Sequence, residues 1–134
     1  MMHHMRTVLV CLFGTIAMAG LIASTTEDLR ALTLVAIPGA LQLPGIVLIG
    51  MLCAFALRSA AAATIALVVI ALGGAFLSGL AIAFPAFEIE AASVFLINRG
   101  TVQGFFALLL IFCFGMIGVV VAMLINVFAR RLDI

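Results

Sequence analysis

The stretch TVQGFFALLLIFCFGMIGVVVAMLINVFA, residues 101–129, holds no charged side chain. About 20 consecutive apolar residues suffice for a helix to cross a hydrocarbon core of roughly 30 Å, so this run is long enough to span a bilayer. Three more runs of the same character precede it: Thr7–Ser24, one within Ala31–Leu57 and one within Ala60–Phe87. Polar breaks separate them at TTEDLR (25–30), at Arg58-Ser59 and at EIEAASVFLINR (88–99), and the chain ends in RRLDI. Backbone groups in lipid must bond within their own segment, so the runs are expected as helices.

Composition points the same way. Of 134 residues, 68% are hydrophobic and 8% charged, against about half and about a quarter in a soluble domain. A soluble fold of this size could not hide that much apolar surface. The expected fold is an all-α integral membrane protein, a single domain over 1–134. Its four transmembrane helices lie at about 7–24, 35–57, 62–86 and 103–128, with a short interfacial helix over 89–98. The net charge of +1 gives no electrostatic case for nucleic acid. The first run has a rival reading as a signal peptide, with Arg6, TVLVCLFGTI and an Ala17-Met18-Ala19 cleavage triplet. Its continuation to Ser24 favours a span.

Orientation follows from the placement of arginine, the only basic residue type besides two histidines. With both termini inside, Arg6, Arg58, Arg130 and Arg131 face the cytoplasm and Arg30 and Arg99 face out, a four-to-two bias in the sense of the positive-inside rule. The use of Arg without Lys, with abundant Ala and Gly, suggests a GC-rich genome. The expected location is therefore a prokaryotic cytoplasmic (inner) membrane.

An internal repeat is visible in outline. Val10, Gly14, Gly20 and Leu21 match Val69, Gly73, Gly79 and Leu80 at an offset of 59. Val47, Met51, Leu52 and Arg58 match Val119, Met123, Leu124 and Arg130 at an offset of 72. Two tandem parallel helical hairpins, related by a pseudo-twofold axis along the membrane normal, would produce this pattern. Small residues let helices approach closely in lipid. Gly14, Gly20, Gly73, Gly79, Gly118 and Ala122 are the candidate packing positions.

PGALQLPG, residues 38–45, interrupts the second run. Pro38 can open the span proper, where a missing N–H leaves nothing unbonded. Pro44 should then kink the helix, leaving the carbonyl of Ala40 without its donor. Gln42 shares a face with Pro38 and Gly45 and is placed to bond a neighbouring helix. Pro38, Gln42, Pro44 and Gly45 are together a candidate kink or partner site.

Chemistry is sparse. Cys11, Cys53 and Cys113 stand alone in apolar runs and read as packing residues. His3 and His4 sit in a terminal tail, away from any position where facing helices could share a haem. Glu88, Glu90 and Arg99 form a candidate outer-face polar cluster, as a solvated loop or, less simply, as an acid/base group. Gln103 and Asn126 lie near opposite ends of the fourth run, within reach of headgroups. Small multidrug resistance transporters also have four short helices but rely on a membrane-embedded glutamate, which no span here contains, so that likeness stops at size. No catalytic residue, metal ligand or cofactor site is expected.

The expected function is a non-catalytic accessory, scaffold or assembly subunit of a larger membrane complex. Its partners would be the lipid bilayer and other membrane subunits or further copies of itself. The absence of Trp and Tyr has two readings: partners that supply the aromatic belts, or plain compositional drift. The alternative is a homo-oligomeric channel or small transporter with its site at the interrupted second helix. A lipid-modifying enzyme would need Glu88, Glu90 and Arg99 to converge.

Overall fold

The computed structural model describes residues 2–25, 39–84 and 93–131. Four helices account for nearly all of them: α1 (Met2–Thr25), α2 (Gln42–Leu57), α3 (Ala60–Ala83) and α4 (Ser93–Arg131). Each is long and apolar enough, with its adjoining turn where it has one, to cross a membrane. The protein is an all-α, four-helix, membrane-spanning type of fold.

Boundaries move where local chemistry dictates. No glycine or proline separates Met2 from Val8, so α1 runs back through His3 and His4 in place of the expected tail. A 3-10 turn, Gly39–Leu41, leads into α2. Pro44 is the third residue of that helix. The first four N–H groups of any helix lack an intrahelical acceptor, so the imino nitrogen of Pro44 leaves no bond unmade. The expected kink is replaced by a helix start. Pro38 lies outside the described residues.

The α2–α3 connection is two residues long. Arg58 closes α2 in the left-handed region (φ 52°, ψ 13°). Its N–H donates to the carbonyl of Ala54 at 3.0 Å. Ser59 is extended, and its Oγ accepts from the N–H of Ala62 at 3.4 Å, capping α3. So tight a turn holds α2 and α3 antiparallel. A left-handed residue with a Cβ costs about 1–2 kcal/mol, and Arg58 is the only one among the described residues.

Helix α4 is continuous from Ser93. The interfacial helix expected over 89–98 is, from residue 93 on, the first turns of α4. Nothing at Asn98-Arg99-Gly100 stops the helix. Arg99 projects into the open and Gly100 faces α3. The hydroxyl of Thr101 donates back to the carbonyl of Ile97 at 2.9 Å, across that junction.

The helices form a four-cornered bundle. α1 packs on α2 and α3, α4 packs on α3 and α2, and α1 and α4 take opposite corners. Contacts fix the directions. Gly45 meets Leu21, setting α2 antiparallel to α1, while Gly14 and Gly74 meet Ile70 and Met18, setting α3 parallel to α1. The hairpins α1–α2 and α3–α4 therefore lie side by side. A single axis along the membrane normal would exchange opposite corners, whereas the matched helices α1/α3 and α2/α4 are neighbours. The expected pseudo-twofold gives way to a sideways displacement of one hairpin beside the other.

Met18, Ile22, Ile46, Leu67, Ile70, Ile111 and Val119 fill the centre. The outside is as apolar as the inside: Phe13, Phe76, Phe105 and Phe112 are all exposed. This is the arrangement a lipid solvent permits.

Candidate functional site

The chain's small residues set how closely the helices meet. A Cβ placed on Gly79 would stand 2.8 Å from the carbonyl oxygen of Gly100. One on Gly100 would stand 2.6 Å from that of Gly79, and one on Gly104 3.0 Å from that of Ala75. On the other side of α4, a Cβ on Gly118 would collide with the carbonyl of Val47, and one on Gly50 with that of Gly115. Ala122 is wholly buried. Gly14 and Gly73 face the α1–α3 contact, where an added Cβ would stand 2.5 Å from Ile70 Cδ1 and 2.7 Å from Thr15 Cγ2. Gly20, expected at a packing position, is instead exposed, and nothing among the described residues lies within 4 Å of its Cβ position.

Sequence reasoning passed over Gly50, Gly100, Gly104 and Gly115. The Gly100/Gly104 pair at a spacing of four was readable. Gly100 falls between the polar break at 88–99 and the run that begins at Thr101, which obscures the pair.

The polar groups divide in two. Hydroxyls inside the bundle are satisfied by their own helix: Ser24 Oγ donates to the carbonyl of Leu21 at 2.8 Å and Ser78 Oγ to that of Ala75 at 3.0 Å. No buried side-chain nitrogen or oxygen among the described residues lacks a partner. Gln42 is half-buried at the first turn of α2, Gly45 half-buried and Pro44 exposed. No side-chain hydrogen bond among the described residues joins Gln42 to another helix. Arg99 is exposed on α4. Glu88 and Glu90 lie outside the described residues, as does every acidic residue of the chain.

Cys53 is buried, Cys11 half-buried and Cys113 exposed, all as free thiols. Among the described residues no group of three His, Cys, Asp or Glu could hold a metal ion.

Two concavities stand out. An open groove of about 390 Å³ runs between α3 and α4, walled by Phe76, Leu80, Phe105 and Leu108 over a floor of Gly79 and Gly104. At the opposite end of those helices, a cleft of about 320 Å³ opens between the α2–α3 turn and the last third of α4. Arg58, Ser59 and Asn126 are its polar lining, beside Ala54, Met123 and Val127. Because the helices alternate in direction, Arg6, Arg58 and Arg131 share this end of the bundle, with Arg99 at the other.

The last feature is a projection. Gly100 lies level with Ala83, where α3 ends. Residues 93–99 of α4 therefore extend about 10 Å further, at about 1.5 Å per residue. Three apolar side chains among them are open: Val94 is 81% exposed, Phe95 65% and Ile97 50%.

No protein-family model matches the chain, and neither a curated protein nor a solved structure shows significant similarity to it.

Proposed function

We propose that the chain is a small, non-catalytic subunit that scaffolds, assembles or regulates a larger membrane complex. It would reside in a prokaryotic cytoplasmic membrane with both termini on the cytoplasmic side. The observation that carries this reading is the projecting end of α4. Val94 and Phe95 stand open at its start, beyond Arg99, which marks the interface level on this helix. A contiguous exposed apolar surface at or beyond headgroup depth is a surface for another apolar body. The four-to-two arginine bias supports the orientation.

The channel or transporter reading loses its main support. It drew on a broken second helix, and Pro44 stands instead in the opening turn of α2.

The test is site-specific photo-cross-linking in native membranes, with a photoreactive side chain at Phe95 or, for comparison, at the lipid-facing Leu48. The expected result is a defined polypeptide adduct at Phe95 and lipid adducts at Leu48. Lipid adducts alone at both positions would sink the proposal.

A further inference from the structure

We infer that the cleft between the α2–α3 turn and the end of α4 binds the headgroup of an anionic phospholipid. Its depth is set by the spans around it. The apolar span of α2 ends at Leu57 and that of α3 begins at Ala60, so Arg58 and Ser59 stand where hydrocarbon gives way to headgroups. A basic site between helices at this level is matched in charge to a lipid phosphate.

The cleft is amphipathic in the same sense as a lipid. It is lined by the guanidinium of Arg58, the amide of Asn126 and the hydroxyl of Ser59 together with the apolar side chains of Met123, Val127 and Ala54. Val127 is also half open to the bilayer, so an acyl chain leaving the cleft meets apolar surface without a break. Arg131 lies one turn beyond Val127 on the same helix face and is exposed, adding a second positive charge. Among the described residues that line the cleft there is no carboxylate. Guanidinium suits a phosphodiester because its fixed fork of donors matches two phosphate oxygens.

Geometry at Arg58 makes the assignment testable without harming the fold. Its left-handed backbone (φ 52°) is the conformation that glycine prefers at a helix C-terminus. Arg58→Gly therefore removes the guanidinium while relieving the backbone.

The experiment is native mass spectrometry of the full chain in mild detergent, with equal phosphatidylglycerol and phosphatidylcholine. The wild type is expected to retain phosphatidylglycerol preferentially. R58G should lose about fivefold of that preference, the effect of about one arginine at a membrane surface. It should unfold at a temperature no lower than the wild type. Arg58→Asn, also tolerant of the left-handed region, should behave alike. Arg99→Gln, at the other end of the bundle, should leave the preference intact. Inorganic phosphate at the same concentration should not displace the lipid. Unchanged lipid preference in R58G and R58N overturns the proposal. So does an equal loss in R99Q, which would reduce the effect to overall charge. Displacement by inorganic phosphate would reassign the cleft to a soluble anion and overturn the lipid assignment.

Discussion

Helix α4 meets its neighbours backbone to backbone at several glycines, although Gly115 and Gly74 face the side chains of Leu67 and Ile111, while the glycines at the α1 contacts face side chains. At the α3–α4 and α2–α4 contacts, the atoms facing Gly79, Gly50 and Gly118 are the carbonyls of Gly100, Gly115 and Val47. At the α1 contacts, the atoms facing Gly14, Gly73 and Gly45 belong to the side chains of Ile70, Thr15 and Leu21. Both kinds of seam use glycine, yet they tolerate change differently. A side chain can change rotamer; a carbonyl in a helix moves only with its helix. In lipid, where packing rather than water exclusion holds helices together, the backbone seams carry most of the rigidity.

The sharpest way to break this comparison is Gly118→Ala. The new methyl would enter the Val47 carbonyl, and overpacking of this kind costs about 1–3 kcal/mol, occasionally more. We expect the largest loss of stability here, read as the denaturant midpoint of helical circular dichroism in mixed micelles. Gly79→Ala should follow at the lower part of that range, since its nearest carbonyl is 2.8 Å away. Gly14→Ala should cost less than about 1 kcal/mol in the same assay, because Ile70 Cδ1 can swing aside. A Gly14→Ala loss as large as that of Gly118→Ala would erase the distinction. The smallest effect, and of opposite sign, belongs to Gly20→Ala. The site is open, and replacing a helical glycine by alanine gains up to about 1 kcal/mol.

The same comparison shows what the sequence made legible. Length and apolarity alone specify four spans, because lipid leaves the backbone no alternative to a helix. The start of α4 was not legible. Asn98-Arg99-Gly100 has the composition of a break, yet Gly100 is held inside a helix by its contact with Gly79 on α3, 21 positions away. Helix α2 misled for a related reason. Pro44 is disruptive within a helix and harmless in its first turn, and only the position of the helix start decides which applies.

The matched residues of the two hairpins were visible, but not how the hairpins meet. Similar helices can be related by rotation or by displacement, and one-dimensional spacing does not distinguish them. For the candidate sites the limit is distance along the chain. Arg58 and Asn126 share a cleft although no local motif joins them, whereas Gln42, conspicuous among apolar residues, makes no link to another helix among the described residues.

The unequal lengths of α2 and α4 carry a mechanical consequence. The apolar span beginning at Gly39 has 19 residues and the uncharged run 101–129 of α4 has 29, equivalent to about 28 Å and about 43 Å along their axes. A bilayer core of about 30 Å fits the first and falls well short of the second. Around one small protein the membrane must then thicken on one flank, or the helix must lean, each at a fraction of a kcal/mol per Å of mismatch. A partner seated on the overhang relieves that deformation, so the bilayer's own elasticity adds to the drive for assembly.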